Sequence, residues 1–188
     1  QDIASLQQRY DALAQDLNQH LRDYQLHIRV MNAESIMQAL EQHQIDVLFT
    51  NPLLYQQLRK EYTLISPMAT AQMRYQGRLM SSLGGVIFQR TDKAPIESLT
   101  ALLDQRIAIP SKSNTGAFAL PAFELLKAGI HIEQLDWVTF DNNDEVVRAV
   151  LSDRADVGFV RTGVLEDWID SRQLNHQDIR VIHQQPLS

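Results

Sequence analysis

Two features of this chain have chemistry to offer: a turn of small hydroxyl and amide residues opening a helix, and an arginine at the end of an apolar strand. The turn lies in Ile109-Pro-Ser-Lys-Ser-Asn-Thr-Gly-Ala-Phe118. A helix's first turn leaves backbone N–H groups unpaired and carries positive partial charge, so it attracts anions. Ser113, Asn114 and Thr115 can donate side-chain hydrogen bonds to the same anion, and Gly116 lets it approach the backbone. Plain helix capping by Ser or Asn explains the same residues equally well. No Gly-Lys-Ser/Thr tail follows, so this is not a nucleotide phosphate loop. Arg161 follows the strand pattern Asp156-Val-Gly-Phe-Val160 and precedes Thr162 and Gly163. A guanidinium there can grip a carboxylate, phosphate or sulfur oxyanion through paired hydrogen bonds. The alternative is a surface arginine paired with Asp or Glu. In the loop Phe140-Asp-Asn-Asn-Asp144, Asp141, Asn142 or Asn143 can cap the next helix, or Asn143 can face a cleft.

Signals for catalysis are poor. The six histidines are scattered without metal-ligand spacing, and no Gly-x-Ser-x-Gly elbow occurs. The absence of cysteine removes thiol nucleophiles, disulfides and thiolate-bound metals. The expectation is a chain with no catalytic set, no metal site and no cofactor. A net charge of −6 argues against a nucleic-acid partner, whose usual footprint is a basic face. A local pocket can still oppose that field and bind an anion. No apolar run approaches the ~18 residues that span a bilayer.

The elements that must position these residues follow from periodicity. Leu6, Tyr10, Leu13, Leu17 and Leu21 predict an amphipathic helix, and 26–30 alternates as a strand. A helix through Ile36 and Leu40, a strand over 46–50, a helix through Tyr55 and Leu58 and a strand over 64–68 come next. The paired glycines of Gly84-Gly-Val-Ile-Phe88 permit a bend or close backbone approach. Strands are expected over 106–109, 137–140, 156–160 and 179–182. Helices are expected over 96–103, from Ser113 to Ala128, over 144–151 and over 164–169. Pro121 falls inside the helix after Ser113, where it removes a backbone bond and should kink the axis. Such alternation implies parallel sheets covered by helices on both faces. Ile36-Met-Gln-Ala-Leu40 with Asp46-Val-Leu-Phe49 also matches Val146-Val-Arg-Ala-Val150 with Asp156-Val-Gly-Phe159, without a gap. Either any two helix–turn–strand units look alike, or two similar lobes each end a strand at a cleft, as ligands in open α/β sheets require. On the second reading Asn51 and Arg161 become opposed cleft residues. Taken singly, Tyr55, Tyr75 and Trp137 read as core or rim.

Thr50-Asn-Pro-x-x-Tyr55, Gly84-Gly-Val-Ile-Phe88, Ser113-Asn-Thr-Gly116 and Val160-Arg-Thr-Gly-Val-Leu-Glu166 together resemble the phosphate/phosphonate-binding group of type 2 periplasmic binding proteins. The match is closest to extracytoplasmic sensor domains of histidine kinases. The resemblance implies an α/β fold of two lobes closing on a small anion, each lobe a mainly parallel sheet flanked by helices. The lobes are expected at 1–91 with 167–188 and at 92–166. It implies that Ser113, Asn114, Thr115 and Gly116 stand where phosphonate binders hold the anion. Those binders carry a His where this chain has Asn143, and an acidic residue near Arg161; both departures speak against an aminophosphonate. The candidate ligand set is Asn51, Tyr55, Ser113, Asn114, Thr115, Gly116, Asn143, Arg161 and Thr162. Relative to the family the chain reads as truncated at both ends, lacking a first strand and the continuation toward a membrane. The function expected is a periplasmic sensor input of an inner-membrane kinase, non-catalytic itself and able to dimerise within a receptor. Membrane attachment would then come only through segments outside this chain. The alternative is a free solute-binding protein of an ABC transporter for a phosphonate-like or other oxyanion.

Overall fold

Unbroken apolar runs in the second half of the chain, 86–88, 107–109 and 157–160, demand a sheet buried on both faces. The computed structural model, which describes residues 3–64, 66–75 and 78–185, has one. Its strands are β1 (Met73–Tyr75), β2 (Arg78–Met80), β3 (Gly85–Arg90), β4 (Arg106–Ile109), β5 (Asp136–Thr139), β6 (Val157–Arg161) and β7 (Ile179–Gln184). β1 and β2 form a separate antiparallel hairpin, which the periodicity did not foretell. The other five order as β5-β4-β6-β3-β7. β4 is parallel to β5 and β6, whereas β3 runs antiparallel to β6 and β7.

The helices are α1 (Ile3–Asn18), α2 (Ala33–Glu41), α3 (Pro52–Leu58), α4 (Leu120–Lys127), α5 (Asn143–Leu151) and α6 (Val164–Asp170). Val86, Phe88 and Val160 point to one sheet face, where they meet Val146, Val147 and Val150 of α5 and Trp168 of α6. Ile87, Ile107, Ile109, Val157 and Phe159 point to the other, against Phe118, Ala122 and Leu125. Period-two alternation is thus matched by helices on both sides. Trp137 is half-buried against this core, edge-on to Phe118 and Phe159 with ring centroids 5.2 and 5.4 Å away. Its Nε1 donates to the Ile132 carbonyl.

Compactness divides the chain into 1–50 with 54–64, and 51–53 with 65–188. The lobe boundaries expected from the sequence run differently. They would put β3 and β7 on one side and β4, β5 and β6 on the other, yet all five strands share one hydrogen-bonded sheet.

The first unit departs from expectation. Segments 26–30 and 46–50 are not strands, and 64–68 contains no strand at the residues described, Ile65 lying outside them. The physical reason is visible at 26–30, whose backbone groups pair with side chains of α1. Gln7 Nε2 donates to the Ile28 carbonyl, Gln7 Oε1 accepts from Val30 N, and Asn18 both donates to and accepts from Leu26. Carboxamides there meet donors and acceptors that a neighbouring strand would otherwise satisfy. No helix among the described residues is long and apolar enough to cross a membrane.

Candidate functional site

At the C-terminal end of β4 the chain does not enter an α-helix directly. Thr115–Ala119 form one π turn, in which the Leu120 N–H reaches back to the Thr115 carbonyl, before α4 begins. This accounts for Pro121. It falls in the first turn of α4, where a missing N–H is tolerated, and its ring packs on β3. A Cβ at Gly85 would lie 2.4 Å from Pro121 Cγ and 2.5 Å from the Gly116 carbonyl oxygen. The close approach expected of the paired glycines is therefore real, made at Gly85.

Gly116 has the same duty on its other side, where a Cβ would lie 2.9 Å from Arg161 Cβ. The absence of side chains at these two glycines brings the turn, the start of β3 and the end of β6 together. Arg161 pairs with Gly85 in the sheet, and Thr162 N donates to the Gly84 carbonyl at 2.9 Å.

Around this junction the second unit gathers most of the candidate residues. Asn114 is a helix cap, its Oδ1 accepting from Ala117 N at 2.9 Å. Ser113 Oγ pairs with Ser111 Oγ at 2.7 Å, and Ser111 Oγ also accepts from Ser113 N. Thr115 Oγ1 donates to Asn51 Oδ1 at 3.2 Å and accepts from Leu53 N at 3.4 Å. Asn142, not Asn143, caps α5, accepting from Glu145 N at 3.0 Å. Asn143 instead accepts at Oδ1 from Arg161 N at 3.2 Å, which ties the α5 loop to the end of β6.

Arg161 is half-buried; its Nη1 donates to the Thr162 carbonyl at 3.1 Å. Among the described residues it makes no ion pair, although Arg90, Arg106, Arg148 and Arg154 each face a carboxylate. The surface-pair reading of this arginine is not what the structure holds. Thr162 is 4% exposed, and its buried Oγ1 meets no hydrogen-bond partner among the described residues. Tyr55 belongs to the first unit, half-buried in α3 with the Arg59 guanidinium 5.7 Å from its ring centroid.

Chemically, this stretch of the second unit carries a guanidinium, asparagine side chains and a buried hydroxyl. Groups of these kinds are the ones that can hydrogen-bond an anion. No cluster of His, Cys, Asp or Glu fit to hold a metal occurs among the described residues. Sequence reasoning missed Ser111, although Ser-x-Ser spacing was there to read. It also left open which Asn of the α5 loop was the cap.

The fold recurs in solved structures. PhnD1 from Prochlorococcus marinus in complex with methylphosphonate superposes with a TM-score of 0.73 at 17% identity, covering 99% of this chain and 69% of its own. A binding protein component of an ABC phosphonate transporter from Pseudomonas aeruginosa gives 0.67 at 13% identity, over 100% and 63%. The periplasmic VFT2 domain of BvgS from Bordetella pertussis gives 0.52 at 18% identity, over 94% and 65%. The chain thus spans about two thirds of the length of these structures. No curated protein matches it in sequence. The family model described as "ABC transporter, phosphonate, periplasmic substrate-binding protein" matches residues 1–187. With the type 2 periplasmic-binding-protein fold and that match along its length, the chain belongs to the phosphonate-binding family of periplasmic substrate-binding proteins.

Proposed function

We propose that this chain is the substrate-binding part of an ABC transporter for a small oxyanion, held where β4, β6 and the α5 loop meet. The observation that carries the reading is Arg161: a half-buried guanidinium at a strand end, with no ion pair among the described residues, beside Asn143 and the Ser113–Gly116 turn. The ligand groups are Ser113, Asn114, Thr115, Gly116, Asn143, Arg161 and Thr162, with Asn51 orienting Thr115. Tyr55 of the first unit is a further ligand candidate. Arg161 supplies charge and the turn supplies N–H donors; no bond of the ligand is broken. The family and PhnD1 favour this over the sensor role.

The likeness to the BvgS periplasmic domain supports a second reading. In it ligand binding is signalled through a membrane segment, outside this chain, to a kinase. The full gene separates the two: a downstream membrane span and kinase mean a sensor, a signal peptide alone a transporter component.

A thermal-shift screen of small anions tests the shared part. An anion at 100 times its dissociation constant adds about 2.7 kcal/mol of stability. Calorimetric titration of Arg161→Ala with that anion should then show a loss of about thirtyfold or more, since a charge-assisted contact shielded from water is worth roughly 2–5 kcal/mol. Equal affinity in the variant would sink the arginine's role.

A further inference from the structure

Independently of the oxyanion reading, we propose that α1 is an interface, through whose apolar stripe two copies of this chain associate with their α1 helices antiparallel. Ile3, Leu6, Tyr10, Leu13 and Leu17 recur at alternating steps of three and four residues, the spacing of a coiled-coil seam. The chain leaves most of that seam open. Ile3, Leu13 and Leu17 are 55%, 44% and 40% exposed, and only Ala14 of the helix is buried. The reason is rotational. At about 100° per residue, Gln7, Ala14 and Asn18 share one line along α1, and Gln7 and Asn18 bond the backbone of 26–30. Leu6, Leu13 and Leu17 lie roughly a quarter-turn from that line, beside the covered face and not under it.

The open side of α1 has the form of a seat for another helix. Leu6, Arg9, Tyr10 and Leu13 line a cavity of about 290 Å³. They stand at positions i, i+3, i+4 and i+7, the four residues that surround one inserted side chain when helices pack knobs into holes. Charge then selects the occupant and its direction. Arg9 and Asp16 flank the seam on the side away from 26–30, both exposed and neither in an ion pair among the described residues. An antiparallel pair that seats Leu13 of one copy in the hole of the other sets Leu6 against Leu17 and Tyr10 against Leu13. It also brings Arg9 of each copy to Asp16 of the other. A two-fold axis makes each of these contacts twice. A parallel pair would set Arg9 beside Ala14 and Asp16 beside Leu21, with no opposite charge for either.

The test is sedimentation equilibrium of the whole chain over a range of concentrations. A helix pair this short makes a small interface, and small interfaces are transient, so wild type should pass from monomer to dimer at about 10–100 μM. Leu13→Glu should stay monomeric, with far-ultraviolet circular dichroism checking that its helix survives. Should that variant lose helix, the charge swaps decide, because Arg9 and Asp16 are exposed and their exchange leaves the core untouched. Arg9→Asp and Asp16→Arg should each weaken the dimer about tenfold, since two attractive pairs become two repulsive ones. The double variant, Arg9→Asp with Asp16→Arg, should regain wild-type association, which a merely structural effect of either change would not restore. Added salt should weaken wild type and the double variant and strengthen the single ones. A wild type that stays monomeric into the millimolar range overturns the proposal and leaves the stripe to something other than a second copy. A folded Leu13→Glu dimer overturns it too, as does a double variant that associates no better than the single ones.

Discussion

Residues 32–50 and 142–160 start as the same local structure and finish differently. Asn32 and Asn142 each accept a hydrogen bond from the N–H three residues on, capping α2 and α5. Both helices run nine residues and end at a cap whose N–H reaches two helix carbonyls. His43 and Asp153 then take left-handed φ of 53° and 61°, and Gln44 N and Arg154 N bond back to the Ala39 and Ala149 carbonyls. One constant offset relates every one of these features. Beyond that turn the halves part. Val157 and Phe159 are fully buried in β6, whereas Val47 and Phe49, their counterparts, are 62% and 72% exposed outside any strand. A helix satisfies its backbone from within, while a strand needs neighbours. β6 lies between β4 and β3, whereas 46–50 pairs with no strand among the described residues.

The largest effect that could break this comparison is at the two phenylalanines. Phe159→Ala should cost about 3–5 kcal/mol through an unfilled core cavity. Phe49→Ala should stay within about 0.5 kcal/mol. Urea unfolding of both variants measures this, and equal losses would mean that 46–50 is buried in solution. Next is the position where the repeat itself differs, Leu48 against Gly158. A Cβ at Gly158 would lie 2.4 Å from Phe88 Cε1 and 2.9 Å from Val150 Cγ2. Gly158→Ala should therefore destabilise by about 1–3 kcal/mol through overpacking.

The caps should behave alike, because they are local. Asn32→Ala and Asn142→Ala should each lose about 1 kcal/mol. A large difference in the midpoints of thermal unfolding would show that tertiary context outweighs the shared motif.

The smallest effect is electrostatic. Asp153 has acquired partners that His43 lacks among the described residues: Lys93 Nζ lies 2.6 Å from its carboxylate, and Arg90 3.9 Å. The hydrogen bond from Lys93 comes first in holding the Asp153 pKa below its ordinary value, and the charges of Lys93 and Arg90 add to it. A depressed folded pKa means stability that is present above the unfolded pKa of about 3.9 and lost as pH falls through the folded one. Asp153→Asn should therefore lower stability slightly at neutral pH and converge with wild type in acid; a gap that persists in acid would point to the turn instead.

Much of the site's outline was legible as sequence. That a residue of 113–114 and one of 141–143 would cap was legible, because a short polar side chain one residue before a helix reaches its N–H groups whatever surrounds it; that Asn142 is the one was not. The strand end at Arg161 followed from the apolar run before it. What each candidate does there was not legible, because partners far apart in the chain decide it. Asn143 meets Arg161 only once β6 lies beside α5. Thr115 meets Asn51 across more than sixty positions. That Arg161 escapes an ion pair depends on where every carboxylate ends up.

The sequence by itself determined where α2, α5 and α6 fall, the left-handed turns after α2 and α5 and the apolar runs of β3, β4 and β6, all features set by neighbours within a few residues. Tertiary structure decided the strand at 157–161 against the exposed segment at 46–50, and the hold of Gln7 and Asn18 on 26–30. It also decided the approach of Gly116 to Arg161 and the partners of Asn51 and Asn143. Hydrogen bonds and close packing between distant segments exist only when both partners are in place, and no local pattern encodes the second partner.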